Sequence, residues 1–405
     1  MLDHNPPELT VGRRGLSCEI VSGVAATDPA FWQSSLPGEA EGYAYHAACE
    51  ATGEHVFKLG AAVVRDGARI LAVCPVFRID YRMNTSLQGT ARSISEAIDR
   101  RLGTGVVKLL GLGSPYADTC AIAVEPGLDA SARRLVFETL IDGIEAYAAA
   151  NRIKMIAIKD LPEARVPEFV DLLRARKFGR IGALPNCILD LECEDVEGYL
   201  ATLSRPTRKD IRRKLKSAEP VRIERRTDIS DIKETIRALH EATRAASSFD
   251  YGDFESLPDR YFECVSSGLG GNALFLLYWV GDELAGFNLL LLSKDRAVDK
   301  FLGMRKDLAE GLNLYAVSWM ENVKFCLERG IHTLIMGPTA YELKMRFGCR
   351  LQESGIWFRH RGPVANSILR RVAPLAAFDR FEPELVEWRK RKKREAREAL
   401  RKRTG

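Results

Sequence analysis

One order of elements occurs twice along this chain, and that repetition limits the folds open to it. In the first half, Lys58–Val64 and Arg69–Arg78 alternate or run apolar on either side of Asp66-Gly67, which predicts a hairpin. A strand is expected at Val106–Leu110. Ala130–Asn151 then has helical periodicity, with Leu135, Val136, Leu140, Ile144 and Tyr147 on one face. Ile153–Lys159 reads as a buried strand, Glu163–Lys177 as a helix and Asn186–Leu191 as another strand. The second half repeats the order. Ala273–Val280 and Leu284–Leu292 flank Gly281-Asp282, Arg296–Met304 is a strand, and Gly311–Arg329 is a helix. Ile331–Met336 is a buried strand, Tyr341–Phe347 a short helix and Gln352–His360 a final strand. Arg176-Lys177-Phe178-Gly179 and Met345-Arg346-Phe347-Gly348 end the second helix of each half. Two copies of one mixed α/β unit are expected, in line with 405 residues being too many for one ordinary core.

Several function classes are excluded. There is no GxSxG, no P-loop and no HExxH, and the six His are dispersed, so no metal site is expected. The nine Cys are scattered, odd in number and free of CxxC spacing, as expected in a reducing cytosol. The most apolar stretch, Ala273 to Leu292, is broken by Gly281-Asp282-Glu283 and is no membrane span. Gly111-Leu112-Gly113 follows a strand but lacks the third glycine of a dinucleotide fingerprint. A cytoplasmic protein is expected.

Candidate chemistry lies in the second half. The segment after Met304 carries Arg305, Lys306, Gly311 and Asn313 ahead of a long helix, an arrangement that presents cations and backbone N–H groups to a phosphate. The corresponding Glu125–Asp129 of the first half is acidic and offers no cation. Polar groups also crowd the C-terminal end of the strand Ile331–Met336, where open α/β sheets bind ligands. They include Tyr341, Glu342 and Lys344. Asp299, Lys300, His240, Glu241 and His360 are further candidates. The loop Phe249–Phe254, with Phe249 and Tyr251 around Asp250, suits a cationic amine on an apolar body.

These segments resemble the GNAT superfamily of acyl-CoA-dependent acyltransferases, and the chain from about 20 to 360 resembles its tandem, Fem-like group. The family's phosphate loop, R-x-x-G-x-G/A, falls on Arg305–Asn313, matched at Arg305 and Gly311 over a longer spacing. GPTAYELKMRFGCRL and SRPTRKDIRRKLK are similar to segments of this group. The resemblance implies two tandem GNAT-like folds, each a central mixed sheet flanked by helices, followed by a basic helical tail. The expected divisions are 1–200 (scaffold and acceptor wall), 201–362 (donor site) and 363–405 (tail). It implies acyl-CoA as co-substrate with no tightly bound cofactor. It puts Tyr341 where many of its enzymes place a tyrosine acid; beside it Glu342 is the expected base, directly or through water, and Lys344 the expected partner of a phosphate or of the acyl carbonyl. Arg305, Lys306, Gly311 and Asn313 fall to the donor, and Phe249, Asp250, Tyr251, His240 and Asp299 to the acceptor.

The tail bears on the acceptor. From Arg389 to Arg403 there are ten Lys/Arg against two Glu, so this stretch carries +8 of a chain total of +5. It follows apolar Ile368, Leu369, Val372, Leu375, Phe378, Phe381, Leu385 and Trp388. Such a segment suits the anionic cytoplasmic face of a membrane. N-acylation of a lipid-like amine is the leading expectation, and bacterial ceramide synthases, which acylate a sphingoid base, are one subgroup of the resemblance. Two readings stay open beside it. One is an aminoacyl-tRNA-dependent amide-forming transferase, since tRNA attracts the same charges. The other is a non-enzymatic RNA- or membrane-binding protein.

Overall fold

The computed structural model describes residues 11–13, 15–53, 56–81, 107–246, 254, 256–309, 311–375, 382–391 and 394. The first half contributes β1 (Val11–Arg13), β2 (Leu16–Val21), β3 (Lys58–Asp66), β4 (Arg69–Tyr81), β5 (Val107–Leu112), β6 (Ala123–Val124), β7 (Met155–Leu161), β8 (Gly179–Gly182) and β9 (Asn186–Asp190). The second contributes β10 (Val221–Arg226), β11 (Ala273–Val280), β12 (Glu283–Leu292), β13 (Arg296–Met304), β14 (Thr333–Met336), β15 (Arg350–Gln352) and β16 (Gly355–His360).

Two mixed sheets result. One runs β1-β2-β3-β4-β5-β7-β16-β8, with β6 on β4, and the other β10-β11-β12-β13-β14-β9-β15. From β2 onward the two orders match strand for strand. Three antiparallel pairings are followed by one parallel pairing, β5 with β7 or β13 with β14, and then by two more antiparallel ones. The expected duplication is therefore present in the topology. In each sheet the sixth strand comes from the other half: β9 joins the second sheet and β16 the first. The halves exchange strands.

The hairpins form where Gly67 and Gly281 supply the positive φ that their turns need, +56° and +58°. The long helices Ala130–Ala150 and Leu314–Glu328 connect the parallel strands. Each of the two shorter helices, Pro167–Ala175 and Tyr341–Arg346, ends with one left-handed residue. Lys177 (φ 60°) plays that part in the first half and Gly348 (φ 98°) in the second. The next N–H bonds back to Leu173 O and Lys344 O respectively. The two Phe-Gly signatures are thus two residues out of step in space, with Phe178 standing where the second half has Cys349. Gly111 and Gly113 have packing roles. A Cβ at Gly111 would meet the Phe77 ring at 2.2 Å, and Gly113 has φ +96°.

Separate apolar clusters lie on the two faces of the second sheet. Leu276, Tyr278, Leu290, Ala297 and Trp319 are buried together with the long helix. Phe275, Phe287, Leu289 and Val298 share a core with Tyr45, Phe77 and Tyr116 of the first half. The basic segment after Ser204 divides in two. Arg205–Ser217 is a helix whose first turn is capped by the Ser204 hydroxyl, and Val221–Arg226 is the edge strand β10. No helix among the described residues is long and apolar enough to cross a membrane.

Candidate active site

β13 and β14 pair over four rungs, from Arg296–Thr333 to Asp299–Met336, and then part. β14 ends at Met336, while β13 continues to Met304. At the parting point β13 carries a β-bulge. Leu289 faces Phe301 and Leu290 faces Asp299, which leaves Lys300 as the extra residue. A bulge re-aims side chains, and here it sends two adjacent charges to different partners.

Asp299 turns toward the long helix. It accepts hydrogen bonds from Asn288 Nδ2 (2.9 Å) and Asn322 Nδ2 (3.0 Å), and Tyr278 OH donates to Asn288 Oδ1 (2.9 Å). Asp299 keeps partial solvent contact yet sits deep among protein atoms, as expected at the floor of a gap. That burial pushes its carboxyl up to about 6, against the Asn288 bond, the nearby Lys344 and the Asn322 bond. Asn322 is 1% exposed, and its Oδ1 has no partner.

Lys300 turns toward the first half. Its side chain, 3% exposed, lies 2.6 Å from Glu41 Oε1 and 2.7 Å from Asp118 Oδ1. The Asp118 N–H donates to Glu41 Oε2 at 2.8 Å. Burial alone would lower the ammonium's pKa, but the two carboxylates outweigh it and hold the pKa up. Burial pushes Glu41 up. It drives His46 down to about 3, helped by Lys300, so that imidazole is neutral. Tyr45 OH lies 2.7 Å from Tyr261 OH and donates to Tyr116 O.

The first half has different residues at the same point of its sheet. β5 and β7 also pair over four rungs, ending at Leu112–Ile158. Leu112 and Gly113 therefore stand where the second half has Asp299 and Lys300. The first sheet carries its charges on the other strand instead, where Lys159 and Asp160 of β7 pair with each other just past Ile158.

The other candidates are spread around this point. Lys344 is buried, and its Nζ donates to Gly337 O (2.8 Å) and Pro338 O (3.4 Å). Tyr341 is fully buried, and its OH donates to Pro185 O at 2.9 Å. Glu342 is exposed, and its backbone N–H donates to Glu384 Oε2. Arg305 pairs with Asp307 and Glu283. Lys306 and Gly311 are exposed, and Asn313, at φ 52°, precedes the long helix and donates to Ser217 Oγ. That bond brings the last turn of the basic helix, with exposed Lys216, beside the long helix's N-terminus. His240 packs edge-on against Phe262 and Phe301, and burial lowers its pKa to about 4. Phe249, Asp250 and Tyr251 lie outside the described residues. A surface hollow of about 350 Å³ beside Leu239, Trp279 and Arg305 does not include Asp299, Lys300 or Lys344. Among the described residues no group of three or more metal-ligating side chains is assembled.

Sequence reasoning singled out Asp299, Lys300 and Lys344 and missed Glu41, Asp118 and Asn322. Glu41 and Asp118 reach Lys300 across 259 and 182 residues. No local pattern marks them.

Residues 205–345 match the model of the acetyltransferase (GNAT) domain. No curated protein matches in sequence. Among solved structures, the chain is similar to FemX with a TM-score of 0.57, at 14% identity, over 84% of this chain and 97% of that one. It is similar to the C-terminal domain of a putative lysylphosphatidylglycerol synthetase from Agrobacterium fabrum, with a TM-score of 0.51, 11% identity, and 84% and 93% coverage. A tandem GNAT protein from the clavulanic acid biosynthesis pathway gives a TM-score of 0.50, 13% identity, and 85% and 99% coverage. At these identities the likeness is one of fold. The chain is thus built as a tandem GNAT fold whose residues 205–345 form a GNAT acetyltransferase-type domain, and it is an enzyme of the acyltransferase class.

Proposed function

We propose that this protein forms an amide by transferring an acyl group from acyl-CoA to the primary amine of a lipid-like acceptor, a class that includes sphingoid bases. The observation that carries this reading is the deep-set Asp299, held by two Asn amides where β13 and β14 part, next to Lys344 and against the middle of a 15-residue helix.

An ammonium has no lone pair, so the acceptor must lose a proton before it attacks. We place the base on Asp299 rather than on Glu342, because Asp299 lies at the gap and Glu342 is exposed beside Glu384. Asp299 takes the ammonium's proton and passes it to solvent, the freed amine nitrogen bonds to the thioester carbon, the C–S bond breaks, and the nitrogen's second proton goes to the departing thiolate to leave the neutral amide and the thiol. Lys344 has two of its three N–H groups on carbonyls, and the third faces the developing oxyanion. Tyr341 holds the strand entry at Pro185 in place. The donor's phosphates lie at the helix N-terminus with Lys306, Gly311, Asn313 and Lys216.

Incubation with mixed acyl-CoAs and amine lipids, read by mass spectrometry, should yield N-acyl products. Palmitoyl-CoA should raise the melting temperature by several degrees. Salt-sensitive tRNA binding with no effect of any acyl-CoA would replace this reading with the aminoacyl-tRNA one.

Support for a lipid acceptor comes from the helix Pro363–Val372. Val364, Ile368 and Val372 are 72%, 52% and 43% exposed at four-residue spacing, so they form one apolar stripe. Arg361, Arg370 and Arg371 are exposed on the same segment. Ile368→Asp with Val364→Asp should cut co-sedimentation with phosphatidylglycerol vesicles at least about tenfold, since each charged residue forfeits apolar burial at the lipid surface. Unchanged pelleting would remove the stripe from the account.

A further inference from the structure

Past its last rung the first half uses its own ionisable pair, Lys159 with Asp160, to anchor the neighbouring loop, and that loop sends one carboxylate into the second half's gap. The loop after β5 is fixed at several points. Gly113 N–H bonds Pro75 O, Tyr116 N–H bonds the Ser114 hydroxyl, Lys159 Nζ bonds Ala117 O, and Cys120 N–H bonds Asp160 O. Ser114, Tyr116, Ala117 and Cys120 are all buried. Asp118 is the charged residue of this rigid loop, and 21% of its side chain is exposed.

Its position is set from both halves. Met336, the last residue of β14, pairs with Cys187, and the preceding Asn186 donates from Nδ2 to Asp118 O. Asp118 Oδ1 meets Lys300, one residue past the last rung between β13 and β14. Asp118 therefore lies at the mouth of the gap whose floor is Asp299, close enough for the two carboxylates to repel one another.

The charges here do not balance. Glu41, Asp118 and Asp299 face Lys300 and Lys344, three carboxyl groups to two ammonium groups, and burial of Glu41 and Asp299 favours a proton on one of them until a cation arrives. Buried charge is costly unless paired. A second, independent sign is Asn322 Oδ1, a buried acceptor without a donor on the amide that holds Asp299. Both deficits are met by one ligand that is cationic and rich in N–H groups.

We propose that Asp118 receives the ammonium group of the acceptor, seating it between the two halves opposite Asp299, with Glu41 and Lys300 as positioning residues. This rests on the acyl-transfer reading for its chemistry, though not for its binding test. The carboxylate of Asp118 holds the cation on arrival, Asn322 Oδ1 accepts one of its N–H groups, and Asp299 takes the proton that frees the lone pair. The first half thus supplies the acceptor's recognition group, and the second half the donor's.

The test uses the full chain, with dodecylamine as ligand and tetradecyltrimethylammonium as a permanent cation. Calorimetry needs no turnover. Dodecylamine should bind the wild type and bind Asp118→Asn at least about tenfold more weakly, as the loss of one charge-assisted contact implies. Palmitoyl-CoA affinity should stay unchanged. In turnover assays KM for the amine should rise more than kcat falls, and tetradecyltrimethylammonium should compete with the amine in the wild type but not in the variant. Should Asn at 118 destabilise the protein too far for assay, Asp118→Glu keeps the Lys300 pair, displaces the carboxylate by one methylene, and should still weaken amine binding. Equal dodecylamine affinity in wild type and variant, or a parallel loss of palmitoyl-CoA binding, overturns the proposal. Dodecylamine binding that depends on Asp118 without any acyl transfer would overturn the reaction assigned above and leave the cation seat standing.

Discussion

Asp299→Asn should lower turnover by about 10²–10⁴-fold, the usual contribution of a positioned base. The wild type should lose activity as pH falls through about 6, where burial has placed this carboxyl, and the variant should lose that limb. Other groups face the same gap. Tyr278 is pushed well up and Cys326 up to about 12, both chiefly by burial, so neither titrates in this window. Tyr315 is also pushed up by burial. Lys300 stays charged between its two carboxylates. Glu41 is pushed up and contributes to the same region, so Glu41→Gln serves as the control: it should leave a limb that Asp299→Asn abolishes.

The stability effect has the opposite sign. The folded pKa lies above the ordinary 3.8, so between about 3.8 and 6 the folded protein holds a proton that the unfolded chain has released. Stability from this group is present at low pH and is lost as pH rises through that window. By neutral pH the loss is about 3 kcal/mol, since each tenfold gain in proton affinity on folding is worth about 1.4 kcal/mol. Asp299→Asn should therefore melt no lower than wild type at pH 7 while being far less active. A variant that is both inactive and strongly destabilised would instead point to a structural carboxylate.

The second large effect concerns the exchanged strands. Residues 1–200 expressed alone lack β16, which sits between β7 and β8 and buries Trp357 and Phe358. Residues 201–405 alone lack β9, whose Cys187, Ile188 and Leu189 are all buried between β14 and β15. Loss of one large core side chain costs about 3–5 kcal/mol, and a whole strand paired on both sides removes several, against a typical total of about 5–15 kcal/mol. Neither piece should give a cooperative melt, whereas the two co-expressed should assemble into a soluble complex that elutes at the size of the full chain. A cooperative transition from 201–405 alone would contradict this.

Much of the fold was legible in the residues. Asp66-Gly67 and Gly281-Asp282 marked both hairpins, β13 has the bounds its pattern implies, and the Ala130 helix ends within one residue of its expected limit. These are local signals of turn chemistry and period. Val221–Arg226 was hidden because an edge strand need bury little, and its alternation was masked by Arg and Glu. The crossing of β9 and β16 was invisible, since both strands read alike in either sheet. The candidate site was half visible. Asp299, Lys300 and Lys344 stood out as ionisable residues at strand ends, while Glu41 and Asp118 gain their meaning only from Lys300, which the chain brings to them from far away.

The exchanged sixth strands also bear on how two like copies come to differ. Severed between the copies, this connectivity is that of a strand-swapped homodimer, in which each subunit completes its neighbour. Within one polypeptide the swap no longer depends on protomer concentration, and the symmetry that would force both copies to change together is removed. One copy is then free to keep Leu112 and Gly113 as packing while the other carries Asp299 and Lys300, and neither can be discarded, because each supplies the strand that joins the last strand of the other's sheet to the rest.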